Sequence, residues 1–107
     1  MTTRAEPMVL VVDDEEKVRR ALVRNIRPLD CPVVAVESGE AALTWLRANT
    51  ASVIIADYNM PVMNGIDFLR EAKNLQPKAR RVMLTGVAGG AVRSARGRII
   101  IGRKRHR

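Results

Sequence analysis

Three acidic side chains are candidates for chemistry because each directly follows a short apolar run. Asp13 and Asp14 follow residues 8–12, Met-Val-Leu-Val-Val, and Asp57 follows residues 53–56, Val-Ile-Ile-Ala. Carboxylates held close together repel one another unless a proton or a hard divalent cation lies among them. A residue just past the end of a strand is expected to be exposed yet rigidly held. The sequence therefore predicts a cation site beside an exposed aspartate, Asp57.

The apolar runs have the composition of strands that are buried on both faces of a parallel sheet. They are short, uninterrupted by polar residues and rich in Val and Ile, as expected where helices cover both faces. Ligands of such sheets bind beyond the carboxyl ends of the strands. If the two strands are neighbours, the three carboxylates meet at one edge of the sheet.

A third apolar run leads a hydroxyl group to the same edge. Residues 81–84, Arg-Val-Met-Leu, are followed by Thr85 and Gly86. Asp57 is itself followed by the loop 58–65, Tyr-Asn-Met-Pro-Val-Met-Asn-Gly. Each of these features is common alone, but their order along the chain is specific.

The ordered set resembles the receiver domain of bacterial two-component response regulators over residues 7–85. The resemblance implies an α/β fold, a flavodoxin-like doubly wound parallel sheet with strand order 2-1-3-4-5. It also implies that Asp57 takes a phosphoryl group from a sensor histidine kinase or a phosphotransfer protein in a Mg²⁺-dependent reaction. Such a domain is a signalling module that acts on an effector by protein contact, and it is not a metabolic enzyme.

The resemblance also assigns roles to individual residues at this edge. Asp14 would be a direct ligand of Mg²⁺, Asp13 would act mainly through water, and Asp57 would contribute a carboxylate. The backbone carbonyl of Asn59 would be a further ligand. The hydroxyl of Thr85 would donate to a phosphoryl oxygen.

Helical patterns separate the apolar runs. The alternation of strand and helix indicates a parallel sheet with helices on both faces. Ser38 is a candidate N-cap for the second helix. The predicted elements are a helix over Glu15–Arg27 that ends at Pro28, a strand over Val33–Val36, a helix opened by Ser38–Glu40, and a helix over Ile66–Leu75.

The pattern changes after Gly86. We predict a receiver domain over residues 1–86, with its core from about residue 7, and an atypical basic Gly/Arg-rich segment over residues 87–107. Residues 98–101, Arg-Ile-Ile-Ile, could form one short strand, but the segment has no Lys-Pro pair and no aromatic residue. We therefore expect an incomplete C-terminal part from the fourth helix onward, through truncation or a frameshift. The other reading frames of the coding DNA would test this.

Two further expectations follow from an incomplete C-terminal part. The strand edge beside residues 82–84 should be partly uncovered, and an open edge invites pairing with another chain. We therefore predict marginal stability and self-association. Lys104 is the candidate for the family lysine that bridges the phosphoryl group, although Gly102 and Arg103 separate it from the apolar residues and no proline follows.

Composition and charge narrow the class of protein. The 107 residues suit one domain, and the single Cys31 excludes an intrachain disulfide and indicates a reducing cytoplasm. No apolar stretch approaches the roughly 20 residues of a membrane span, and residues 1–6 lack the apolar core of a signal peptide. The net charge of +8 divides into +1 for residues 1–85 and +7 for residues 86–107.

Three other functions compete with a phosphoacceptor. A degenerate receiver would bind partners without being phosphorylated, and labelling with acetyl phosphate would separate the two. The basic tail suggests salt-dependent contact with nucleic acid, but no recognition helix or stacking aromatic supports a specific nucleic-acid partner. A phosphatase with an aspartate nucleophile would need a second Asp two residues after Asp57, where this chain has Asn59.

Overall fold

The computed structural model describes residues 8–85 and 99–103, and the side chains of residues 8–84. The described strands form one parallel sheet in the order β2-β1-β3-β4-β5, which confirms the predicted flavodoxin-like fold. The strands are β1 (Val9–Val12), β2 (Val33–Val36), β3 (Val53–Asp57), β4 (Arg80–Thr85) and β5 (Ile99–Arg103). The helices are α1 (Glu16–Ile26), a 3₁₀ helix (Arg27–Leu29), α2 (Gly39–Ala48) and α3 (Gly65–Leu75).

The register of β1 positions the predicted site. Val12 pairs with Ala56 of β3 on one side and with Val36 of β2 on the other. Asp13 and Asp57, the residues that follow these partners, therefore leave the sheet side by side at its carboxyl edge. The run after Met8 is buried throughout because β1 has a strand on each side and helices on both faces.

The larger part of the core lies between the sheet and the helices α2 and α3. Leu10, Ile54 and Phe68 are fully buried there, together with Leu46 and Met83. The helix α1 contacts β1 and β2. The helix α1 lies on the opposite face of the sheet. The connection through α1 leads from β1 to β2, whereas the connections through α2 and α3 lead in the other direction along the sheet. Because such crossovers are right-handed, opposite directions place the helices on opposite faces.

Side-chain caps set where the helices begin. The hydroxyl of Ser38 accepts from the N–H of Ala41 at 3.1 Å, which confirms the predicted N-cap of α2. The side-chain oxygen of Asn64 accepts from the N–H of Asp67 at 2.9 Å, so α3 begins at Gly65, one residue earlier than predicted.

A buried arginine at the start of β4 was not foreseen. Arg81 is 5% exposed, and its guanidinium donates to the carbonyl of Leu69 in α3 at 3.3 Å. Burial lowers the pKa of Arg81 because the charged form loses solvation. Within residues 8–84 it forms no ion pair with a carboxylate, so this carbonyl is the polar anchor that the structure shows for it.

The expectation of an open edge beside β4 was wrong. The strand β5 pairs along β4, from Arg81 with Ile99 to Thr85 with Arg103. It begins one residue later and ends two residues later than the predicted strand, because pairing with β4 extends it through Gly102.

The division of the chain at residue 86 stays a prediction. None of the described helices has the length and apolar character that a bilayer crossing requires.

Candidate functional site

Three aspartates converge at the carboxyl edge of the sheet, and we call them the acid cluster. Carboxylate oxygens of Asp13, Asp14 and Asp57 lie within 4.8 Å of one another. Asp13 and Asp57 are 0% and 1% exposed, whereas Asp14 is exposed. The cluster therefore has two members inside the protein and one at the solvent boundary.

The prediction that Asp57 is exposed was wrong. Asp57 is the last residue of β3 rather than a loop residue, because the ladder continues through its pairing with Leu84 of β4. The N–H of Tyr58 then donates to the carbonyl of Leu84 at 3.0 Å. The first exposed residue after the strand is Tyr58, at 41%.

Hydrogen bonds from three elements fix the position of Asp13. One carboxylate oxygen of Asp13 accepts from the N–H of Glu15 at 2.9 Å, and the N–H of Asp13 donates to Val36 of β2 at 3.1 Å. The guanidinium of Arg19 in α1 donates to the carbonyl oxygen of Asp13 at 2.7 Å. Sequence reasoning missed Arg19, because nothing in the sequence distinguishes it from the other arginines of α1.

Gly65 fixes the backbone behind Asp57. A Cβ at position 65 would lie 2.5 Å from the carbonyl oxygen of Asp57 and 2.9 Å from the Cα of Tyr58. The N–H of Gly65 donates to the carbonyl of Tyr58 at 3.0 Å. Only glycine permits this approach. Gly65 closes the loop motif 58–65, and the sequence feature that indicates its role is the Asn64-Gly65 pair at the start of a helix.

The loop between β3 and α3 contains a strained turn. Val62 has φ of 71° and is 95% exposed. The N–H of Met63 donates to the carbonyl of Pro61 at 2.8 Å, which closes a three-residue turn around Val62. A β-branched residue at positive φ is a genuine outlier, and such strain concentrates at functional sites. Met60 anchors the other half of the loop by packing into the core.

The structure brings together some of the predicted site residues and does not test the others. Asn59 is exposed and lies two residues after β3. Thr85 ends β4 one residue beyond Leu84, the partner of Asp57, so its backbone lies at the same edge. The side chain of Thr85 and the whole of Lys104 lie outside what the structure describes.

The chemistry of the acid cluster fits a hard divalent cation. Mg²⁺ binds one or two carboxylates and keeps several waters, and an edge with one exposed carboxylate offers both kinds of ligand. Three carboxylates this close would otherwise repel one another. Asp13, Asp14 and Asp57 are the residues that could hold such an ion.

Comparison with known proteins agrees with this geometry. The family model of the response regulator receiver domain matches residues 9–96. The sensor kinase/phosphatase LuxN of Vibrio campbellii is 40% identical over 84 residues, which are 78% of this chain and 10% of that protein. The response regulator receiver protein CpdR of Brucella abortus is 29% identical over 78% of this chain and 70% of that protein.

The fold is also that of solved receiver structures. The response regulator TrrA of Thermotoga maritima, determined in complex with Mg²⁺ and BeF, superposes with a TM-score of 0.72 at 27% identity. That match covers 77% of this chain and 71% of TrrA. The chain spans about a tenth of the length of LuxN, so the match concerns a small part of that larger protein. With the family match over residues 9–96 and the shared sheet topology, this chain belongs to the response regulator receiver domain family.

Proposed function

We propose that this chain is the phosphoacceptor module of a two-component phosphorelay, and that Asp57 receives the phosphoryl group in a Mg²⁺-dependent reaction. The observation that carries the proposal is the acid cluster, which holds the carboxylate of Asp57 within 4.8 Å of those of Asp13 and Asp14. Family membership supplies the signalling role.

Asp57 is suited to act as a nucleophile because its backbone is fixed. The β3–β4 ladder and the close approach of Gly65 hold this backbone, so the side chain of Asp57 starts from one fixed point beside the cluster. Phosphoryl transfer depends mainly on positioning and on neutralised oxygens. A carboxylate oxygen of Asp57 forms a bond to phosphorus while the bond from phosphorus to the donor nitrogen or oxygen breaks. The donor approaches from the side of Asp14, the exposed member.

The metal roles follow from the same arrangement. Asp14 would bind Mg²⁺ directly, Asp13 mainly through water, and Asp57 through a carboxylate oxygen, with the backbone carbonyl of Asn59 as a further ligand. When bound, the ion neutralises charge on the carboxylates and on the phosphoryl oxygens. Thr85 is proposed to contact a phosphoryl oxygen, and Lys104 stays the candidate for the bridging lysine.

The proposed donor is a sensor histidine kinase or a phosphotransfer protein, and the output is a contact with an effector protein. The resemblance to LuxN, a sensor kinase/phosphatase, supports this placement because the matching part of LuxN is of receiver size. We place the reaction in the cytoplasm, where such donors act. The second candidate, a degenerate receiver, is favoured only if the buried Asp57 proves unreactive.

Labelling of the wild-type chain tests the proposed function. Incubation with Mg²⁺ and acetyl phosphate should add one phosphoryl group, seen as a single mass increment, and hydroxylamine should remove it because an acyl phosphate is electrophilic. Chelation of Mg²⁺ should prevent the addition. Mg²⁺ binding without labelling by acetyl phosphate or by any histidine-kinase donor would identify a degenerate receiver instead.

Metal affinity should depend on the individual aspartates. We expect Asp14→Ala to weaken Mg²⁺ binding by about tenfold or more, and Asp13→Ala by less, because only Asp14 is assigned a direct bond. Calorimetric titration with Mg²⁺ measures this. Glu71→Ala, which removes an exposed carboxylate from α3, is the control and should leave the affinity unchanged. Equal affinities of wild type and Asp14→Ala would refute the metal site.

A further inference from the structure

A basic groove lies between α1 and the edge strand β2, and its lining begins at Arg19, which donates to the carbonyl of Asp13. We call it the α1–β2 groove. It has a volume of about 540 Å³ and is open to solvent. Its lining includes Arg19, Arg20, Arg24 and Arg27, together with the apolar Val23 and Ala35.

We propose that the α1–β2 groove binds an extended acidic peptide segment of a partner protein. The positive charge of the lining favours an acidic ligand. Among the described residues of the lining, Glu16 is the one acid, and it forms an ion pair with Arg20 at 2.7 Å. Within residues 8–84, Arg24 and Arg27 have no carboxylate partner. The groove therefore presents surplus positive charge that an acidic ligand would neutralise.

The helix dipole explains only part of this arrangement. Basic residues in the last turn of a helix are favourable by themselves, and this accounts for Arg24 at the end of α1. It does not account for an adjoining groove with an apolar floor. Val23 is half-buried and Ala35 is exposed, so the floor offers apolar surface between the charges. A ligand that carries both acidic and apolar side chains matches both features.

The open edge of β2 favours a ligand in extended conformation. Among the described strands, β2 stands at one end of the sheet and pairs with β1 only. An edge strand offers unpaired backbone N–H and C=O groups, and a peptide can add to them as a further strand. The arginines would repel the same strand of a second copy of this chain. An acidic strand therefore fits this edge better than self-pairing does.

The spacing of the arginines fits such a strand. Arg20, Arg24 and Arg27 stand four and three positions apart, which corresponds to roughly 6 and 4.5 Å along a helix axis. Alternate side chains of a strand are about 6.7 Å apart on one face. Two acidic residues separated by one position could thus reach neighbouring arginines. The groove is expected to select the pattern acidic–any–acidic.

A peptide suits the groove better than a nucleic acid. Single strands of nucleic acid are held by aromatic side chains on which bases stack, and none of the residues described as lining this groove is aromatic. A site that binds the phosphate backbone of a nucleic acid gains nothing from the apolar floor of Val23 and Ala35. Nucleic acid is therefore the outcome that the experiment must exclude.

The test uses the full chain and a fluorescent ten-residue peptide of alternating Glu and Val. Fluorescence anisotropy should show saturable binding, whereas the same peptide with Gln in place of Glu should bind at least about tenfold more weakly. The double variant Arg24→Glu/Arg27→Glu should lose roughly tenfold or more in affinity, since two charges reverse from attraction to repulsion. The double variant Arg24→Gln/Arg27→Gln removes the two charges without reversing them, so its loss of affinity should be intermediate. Because Gln places no negative charge at the C-terminal end of α1, this variant also controls for destabilisation of the helix by the reversed charges.

Two controls separate the groove from general basicity. Arg47→Glu/Lys73→Glu makes the same charge change on the exposed surfaces of α2 and α3 and should shift affinity less than twofold. Neutralising Lys104, Arg105 and Arg107 to Ser should likewise have little effect. Equal losses in the control double variant, or loss only in the tail variant, would overturn the proposal. An oligonucleotide that binds more tightly than the peptide, in an Arg24- and Arg27-dependent manner, would also overturn it.

Discussion

Asp57→Asn is expected to abolish phosphorylation by acetyl phosphate while leaving the protein folded. The asparagine amide keeps the size of the carboxylate but is not a nucleophile. The substitution also removes one of three clustered negative charges, so the free energy of unfolding without metal should be unchanged or higher. Intact-mass measurement after incubation with Mg²⁺ and acetyl phosphate is the readout.

A second variant identifies the site of reaction. Asp67→Asn changes an exposed acid in the first turn of α3 and should be phosphorylated as efficiently as the wild type. Persistence of the full mass increment in Asp57→Asn would place the phosphoryl group on another residue. The acid cluster would then lose its proposed function, although the membership of the family would stand.

Gly65→Ala should both destabilise the protein and impair the reaction of Asp57. The added methyl group would lie 2.5 Å from the carbonyl oxygen of Asp57, and the nearest atoms, in Asp57 and Tyr58, are all backbone atoms that have little room to yield. Overpacking of this kind costs roughly 1–3 kcal/mol or more. For a domain of this size we expect the melting temperature to fall by about 10 °C, and the labelling rate of the folded protein to fall with it.

Gly39→Ala is the matched control for this prediction. A Cβ at Gly39 would meet the sulfur of Met63 at 3.0 Å and the Cβ of Phe68 at 3.3 Å. The flexible end of Met63 can move away, so the loss of stability should be much smaller. Thermal unfolding of both variants decides the matter. Equal melting temperatures for the two would show that the contact behind Asp57 does not constrain the site.

The sequence predicted β1 and β2 well because the apolar runs of both strands are uninterrupted. The run ending at Val12 is also buried throughout, whereas Val33–Val36 is only partly buried because β2 stands at the end of the sheet. Ser38 predicted its helix start because a cap is a local interaction. The convergence of the acid cluster followed from the parallel topology together with the resemblance, which supplied the neighbour relation of β1 and β3.

What the sequence did not predict depends on contacts between distant segments. The burial of Asp57 comes from the pairing of β3 with β4 and from the approach of Gly65, and neither is visible in the run before Asp57. The edge of β4 is covered because Ile99–Arg103 pairs with it as β5. The sequence predicted this strand poorly because Gly102 and Arg103 interrupt its apolar run. Arg81 was assigned to a strand, but its burial against α3 required the packed helix.

The pairing of Val12 with Ala56 has a consequence for how fast the chain folds. It joins segments that lie 44 positions apart, so a large loop must close before β1 meets β3. The repulsion between Asp57 and the adjacent pair Asp13 and Asp14 arises only at this docking step, because Asp57 lies far along the chain from that pair. We therefore expect this repulsion to slow the docking of β1 on β3, and a divalent cation bound at the acid cluster to speed it. Refolding should then be faster with Mg²⁺ than without it, which stopped-flow refolding under the two conditions measures.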